Sequence, residues 1–304
     1  MNKVSKLCFG ALTISPLQQN FTPEEAADLM EYAFNKGINF FDTAEIYESY
    51  HLFRAFLKRT IAREDVFIST KCYAYDYKTA EASLNQALEE MQTPYIDLMM
   101  LHEQESEHSL RGHNEALQFF DLMKKEGKIR HIGMSTHFVE GVLAGSNHQL
   151  IEVIHPIINK RGLGIIGGNR EDMENALKVA KEKGKFIFAM KVLGGGHLLK
   201  DYSEALCYAQ DLPWIDSIAI GMQSKEEVDA NVSAILKRER ISSGVYKKRK
   251  LIIDPYCIGC GKCVDRCQQK ALYLDKGKAK VLNERCILCS YCVGACEDFY
   301  IKVV

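Results

Sequence analysis

Up to about residue 240 the chain alternates two kinds of hydrophobic pattern. Eight short runs are apolar nearly throughout: LCFGAL (7–12), INFFDTA (38–44), VFIST (66–70), YIDLMML (95–101), HIGMST (131–136), IEVIHPII (151–158), KFIFAMKV (185–192) and SIAIGM (217–222). They predict parallel strands covered on both faces. Between them, apolar positions recur every three or four residues, as along one face of a helix. Thr22, Pro23, Glu24 and Glu25 make a capping box with proline at the first helical position; Leu29, Met30, Ala33 and Phe34 then line one face before Gly37. Leu84, Ala87, Leu88 and Met91 mark a second helix, and Ala116, Phe119, Phe120 and Met123 a third that ends at Gly127. Met173, Ala176, Leu177 and Ala180 mark another, ending at Gly184, and a second capping box at Ser224 and Glu227 precedes Val228, Val232, Ile235 and Leu236.

Eight strands alternating with helices predict an α/β chain built on a (β/α)8 TIM barrel, with an open doubly wound sheet as the alternative. A Gly-rich dinucleotide fingerprint after the first strand is missing, which weighs for the barrel. The composition changes at Asp254, so the expected division is a barrel over 1–240, a linker over 241–253 and a small α+β domain over 254–304.

That last segment carries the strongest motif. Cys257, Cys260, Cys263 and Cys267 follow the spacing C-x2-C-x2-C-x3-C, and Cys286, Cys289, Cys292 and Cys296 repeat it at an offset of 29 residues. In such a duplication three thiolates of one run hold a cluster and the fourth crosses to the other. Cys257, Cys260, Cys263 and Cys296 are therefore assigned to a first [4Fe-4S] cluster, and Cys286, Cys289, Cys292 and Cys267 to a second. A pair of zinc sites is the alternative, but zinc usually joins two cysteines to a distant second pair. The segment resembles the bacterial two-cluster ferredoxins, except that Gln268 and Glu297 stand where those carry proline. Cys8, Cys72 and Cys207 fall in barrel elements and read as small apolar residues.

In a barrel, chemistry collects where strands end. Asp42 closes the second strand, Tyr47 follows it, Lys71 closes the third and His102 the fourth. Alternation pairs Phe40 with Asp42, Ser69 with Lys71 and Met100 with His102 on one side of each strand. Three neighbouring strands thus aim an acid, a base and an imidazole into one opening. The segments FFDTAEIY (40–47), VFISTK (66–71), YIDLMMLH (95–102) and EGKIRHIGMST (126–136) are similar to successive signatures of the aldo-keto reductases, over about residues 5–235. The likeness is greatest to the branch with an iron–sulfur tail and the run AMKVLGGG (189–196). The resemblance implies that Asp42, Tyr47, Lys71 and His102 are catalytic. Tyr47 would protonate the oxygen left by hydride addition, Lys71 would lower its pKa, Asp42 would hold Lys71, and His102 would donate to the oxyanion.

Gly194, Gly195 and Gly196, with Gly221 before the capped helix, suit a phosphate site after strands seven and eight. The resemblance implies NADP(H) or NAD(H), with Ser135, Thr136 and Asn159 near the nicotinamide amide, and Met190 and Leu193 beside it. Met222, Gln223, Glu227 and Asn231 would face the adenosine end. His155 stands where many relatives have glutamine, Met190 where many have a stacking tyrosine, and Ser224 where an arginine grips the 2′-phosphate, leaving Lys225 as the cation.

Charge and hydropathy narrow the partners. A net charge of −1 argues against nucleic acid, and the basic run Lys247, Lys248, Arg249, Lys250 reads as a solvated linker. No stretch reaches the ~18 apolar residues of a membrane span, and MNKVSKLCFGALTIS is not a signal peptide. Free thiolates for metal fit a cytoplasmic location. The expectation is an oxidoreductase acting on a small carbonyl or alcohol, whose clusters exchange electrons with a redox protein. No flavin motif is present to convert hydride into single electrons, although a bound flavin would serve. The alternative is an electron-transfer or docking protein whose barrel is a scaffold.

Overall fold

The computed structural model describes residues 4–59, 61–239, 241, 249–286, 288 and 291–304. Cys289, Lys247 and Lys248 lie outside the described residues. Eight parallel strands close a barrel in chain order: β1 (Leu7–Gly10), β2 (Phe40–Asp42), β3 (Phe67–Cys72), β4 (Ile96–Leu101), β5 (Ile129–Thr136), β6 (Val153–Pro156), β7 (Phe186–Ala189) and β8 (Ser217–Gly221). Each lies within a run predicted from the sequence or overlaps one. Inside the barrel Cys8, Phe40, Leu98, Met100, Val153 and Phe188 pack on one another. Outside, the helices cover the strands with a much larger apolar layer.

Both capping boxes start helices, with one difference. Thr22 Oγ1 accepts from Glu25 N while Glu25 returns to Thr22 N, as expected for the helix Pro23–Asn35. At the helix Lys225–Asn231, Ser224 Oγ accepts from Glu227 N, but the Glu227 carboxylate accepts from Gln223 N and pairs with Arg249. The box is half made because an arginine from the following segment competes for the carboxylate.

After the barrel, β9 (Leu251–Ile253) pairs antiparallel with β12 (Ile301–Val303), so part of the expected linker is a strand. Between them lie a helix, Lys262–Arg266, and the hairpin β10 (Leu272–Asp275) and β11 (Lys278–Val281). The tail closes on the barrel mouth. His197 Nε2 donates to Ile301 O at 3.0 Å, while within the tail Lys250 and Val304 extend the β9–β12 pair by exchanging backbone hydrogen bonds of 2.8 and 3.0 Å.

Candidate active site

Asp42 lies opposite Ser69 in the β2–β3 register, and Lys71 lies opposite Met100 across β3–β4. Their side chains turn into the barrel end and meet there. Lys71 Nζ donates to the Asp42 oxygens at 2.8 and 2.7 Å and to Thr43 O at 2.6 Å. An ammonium has three hydrogens, and these three bonds take them all. Ser69 Oγ donates a further bond to Asp42 Oδ1 at 2.6 Å. Both charges are buried, so removal of either leaves an unpaired charge in the interior.

Tyr47 sits on the single turn Glu45–Tyr47, which Glu48 closes in a left-handed conformation. Its ring centre is 5.3 Å from Lys71 Nζ and meets the His102 ring edge-on at 5.9 Å. The four predicted residues thus share one site. Their electrostatics differ from expectation in one respect. Burial first, then the charges of Asp42, Glu103 and Asp254, push the Tyr47 phenol well above its ordinary pKa. Lys71 does not reverse this, because its hydrogens and charge are already committed to Asp42. The phenol is held protonated.

His102 follows β4 directly, its N–H donating to Cys72 O at 2.8 Å, with its ring stacked on Tyr73 at 4.8 Å. Burial, helped by Lys71, His155, His137 and Lys191, holds its pKa well below the ordinary value. It is a neutral imidazole, and among the described residues its buried Nδ1 has no hydrogen-bond partner. His155 forms a wall behind Asp42. Its Nδ1 donates to Phe188 O at 2.6 Å, its ring stacks on Phe188 at 3.8 Å, and its Nε2 is 3.8 Å from Asp42 Oδ2.

Tyr47 and His102 open on a cavity of about 740 Å³. Tyr73, Glu103, His137, Met190 and Lys191 line its barrel side. The tail roofs it with Asp254, Tyr256, Phe299, Tyr300 and Lys302 among others. Of the loop after His102, Glu103 reaches this space. The tail docks on this face of the barrel.

The residues that the resemblance gives to a dinucleotide are otherwise engaged. Ser135 Oγ accepts from Glu103 N, and Thr136 Oγ1 accepts from Phe138 N, each at 2.9 Å. The Asn159 amide braces its own loop through Leu163, donating to its carbonyl and accepting from its N–H at 2.9 Å. Asn231 accepts from Tyr202 Oη and donates to Glu227 O, and Met222 is buried. Lys225 Nζ lies 5.3 Å from the centre of the Tyr32 ring. Gln223 keeps a free donor, a buried Nε2. Met190, Leu193, Gly195 and Gly221 line a second cavity of about 150 Å³, walled on the other side by Lys302, Val303 and Val304.

The glycine run Gly194–Gly196 has φ of 57°, 62° and 89°, and a Cβ on Gly196 would fall 2.0 Å from Val303 O. Glycine is required there by the approach of the chain's own last strand. A Cβ on Gly221 would fall 2.2 Å from Thr13 Cγ2, so packing within the barrel rim explains that glycine too. As the tail lies, these residues do not form an open cradle for a dinucleotide.

An aldo/keto reductase family model matches residues 6–244, and a 4Fe-4S dicluster domain model matches 249–297. The chain belongs to the aldo/keto reductase family. It is 25% identical to the L-galactose dehydrogenase of Arabidopsis thaliana over 79% of this chain and 86% of that one. It is 29% identical to the glyoxal reductase of Bacillus subtilis over 45% of this chain and 48% of that protein. A putative aldo-keto reductase from Pseudomonas aeruginosa shares the fold at a TM-score of 0.65 and 20% identity, covering 77% of this chain and 90% of that one.

In this aldo/keto reductase the donor set of the tail suits iron–sulfur clusters. Cys257, Cys267 and Cys296 Sγ accept from Ala279, Ala271 and Tyr300 N–H at 3.5, 3.3 and 3.3 Å, the kind of amide contact that favours a thiolate. Burial, then the charges of Cys296, Cys257 and Cys260, push the Cys263 thiol up. Gly259 lets their loop approach the hairpin, since a Cβ there would fall 2.1 Å from Gly277 O. The cavity roof is built from their sequence neighbours: Tyr256 precedes Cys257, and residues 298–300 follow Cys296.

Sequence reasoning missed Tyr73, His137, Lys191 and Lys302 as lining residues. Lys191 stood inside the AMKVLGGG run and follows the singled-out Met190, which was a signal. Lys302 carried none, because its place depends on how the tail docks.

Proposed function

We propose that the chain is an oxidoreductase that interconverts a small carbonyl and its alcohol in the cavity between barrel mouth and tail. The observation that carries this is the convergence of protonated Tyr47 and neutral His102 on that cavity, backed by the buried Asp42–Lys71 pair. A neutral imidazole can hold the substrate oxygen by donating a ring N–H to it. A phenol kept protonated can give that oxygen its proton as charge builds there in reduction, and its raised pKa makes its phenolate a stronger base for the reverse transfer, in alcohol oxidation. The buried Asp42–Lys71 pair supplies a fixed positive end near the phenol without sharing a proton with it. The hydride carrier implied by family is NADP(H), with NAD(H) as the alternative. The covered glycine run does not fit it as the tail lies.

The proposed division is the barrel over 1–240, a linker over 241–253 whose end forms β9, and the cluster domain over 254–304. Its cysteines, in the two sets assigned above, would hold two [4Fe-4S] clusters, which supply one-electron transfer with a redox protein. One observation favours a second reading: the glycine run is occupied by the chain's own strand. An electron-transfer or docking protein with a scaffold barrel would need no dinucleotide. The test is anaerobic turnover of a dicarbonyl panel with NADPH, in wild type and Tyr47→Phe. Turnover lost in the variant supports the enzyme. Absence of turnover, with clusters reduced by a ferredoxin, supports the carrier.

A further inference from the structure

Two lysines face the same cavity, one from each part of the molecule. Lys191 comes from the barrel, just after β7, and Lys302 from β12 of the tail. Lys302 is 9% exposed. Lys191 is a non-glycine residue at φ 58°, a conformation that costs energy and tends to persist where it places a working side chain. Among the described residues neither ammonium has a hydrogen-bond or ion-pair partner; Lys302 Nζ lies 4.0 Å from the centre of the Phe299 ring. The nearby carboxylates are otherwise occupied: Glu103 accepts from Tyr73 Oη at 2.6 Å and Asp254 from Tyr256 N at 3.0 Å.

Enclosing two cations without a counter-charge is unfavourable. Burial pushes both lysines below their ordinary pKa, with Lys71 adding to it at Lys191 and Lys191 adding to it at Lys302, while Glu103 and Asp254 oppose only in part. A ligand anion would relieve this. Dinucleotide phosphates are the less fitting source, because Val303 covers the glycine run and the adjoining cavity is only about 150 Å³. The cavity of about 740 Å³ that the lysines share with Tyr47 and His102 falls within the usual range for small-molecule sites.

We propose that Lys191 and Lys302 hold the carboxylate of an acid-bearing substrate, a 2-oxo acid or its 2-hydroxy acid, with its carbonyl or alcohol group against Tyr47 and His102. This rests on the carbonyl–alcohol reading above and narrows it. Because Lys302 belongs to the tail, the substrate site is complete only when the tail is docked.

The test is anaerobic titration calorimetry on the full cluster-loaded chain with benzoylformate and with acetophenone, which replaces the carboxylate by a methyl group. Benzoylformate is expected to bind at least tenfold more tightly. Lys302→Met and Lys191→Met should each collapse that ratio by about 10- to 100-fold, the range for a hydrogen bond to a charged group. Lys302→Arg should restore much of it. Equal binding of the two ligands by wild type, or an unchanged ratio in both methionine variants, overturns the proposal. So does a loss confined to NADPH affinity, which would give the lysines to phosphate. Binding that follows the lysines while no carbonyl is turned over would sink the catalytic reading and leave only the carboxylate site itself standing.

Discussion

The barrel and the tail are held together by different means. The barrel has a closed ring of strands, an inner core and an apolar layer beneath its helices. The tail's own core is Leu251, Cys263, Leu272, Ala279, Cys292, Ile301 and Val303, with Cys257, Cys267, Cys286 and Cys296 packed around it. Six cysteines that metal would bind therefore share the tail's centre with its aliphatic residues. A segment of this size buries too little apolar surface to be firmly stable alone. The difference teaches that one chain can contain a site whose floor is fixed by hydrophobic burial and whose roof is conditional on metal.

The largest effect should come from removing iron. Structural metal commonly contributes on the order of 10 kcal/mol to a small domain. Chelation should strip hydrogen-exchange protection from β9 to β12 while the amides of β1–β8 stay protected. Retained protection in the tail would erase the contrast drawn here. Next in size is Tyr47→Phe, which changes the floor alone. Loss of a positioned acid should lower turnover by about 10²–10⁴-fold with exchange unchanged in both regions. A variant that kept most of its turnover would remove Tyr47 from the chemistry.

How much of this was legible follows from how local each signal is. All eight strands could be read from apolar runs, and the positions of Asp42, Lys71 and His102 from two-residue alternation toward one barrel end. These depend on neighbours in sequence or on adjacent strands. The Tyr47 pKa was read in the wrong direction, because it is set first by burial of the phenol and then by the charges of Asp42, Glu103 and Asp254, and no motif marks how deeply the phenol is covered. The glycine run was legible as a place needing glycine. Its occupant was not, since Val303 lies more than a hundred residues away and arrives through domain docking. Lys302 escaped for the same reason.

A smaller effect tests the seam between the two regions. Gly196→Ala places a Cβ against Val303 O at a φ of 89°, which an L side chain rarely adopts. Strain and overpacking together should cost roughly 2–4 kcal/mol, taken mainly from docking of β12. Carboxypeptidase should then release the last residues faster than from wild type. If the strand is what closes the groove, NADPH should bind the variant more tightly. Unchanged digestion would mean that the close approach is not made in solution.

The smallest effect separates the regions by pH. Burial pushes both His155, in the barrel, and His197, at the seam, down to about 4. An unfolded histidine takes a proton below about pH 6.5, whereas these do so only near 4. Their stabilising effect is therefore complete above 6.5 and is lost as pH falls toward 4. His197→Gln keeps an N–H for Ile301 O but cannot titrate. Discounting for partial solvation, its tail should lose about 1–2 kcal/mol less than wild type between pH 7.5 and 4.5. That difference should be seen in exchange of β12 and not of β1–β8. His155→Gln should show the reverse pattern. The same acid slope in β12 for wild type and His197→Gln would mean that the seam histidine is solvated, and that the roof is held to the barrel by its apolar and backbone contacts alone.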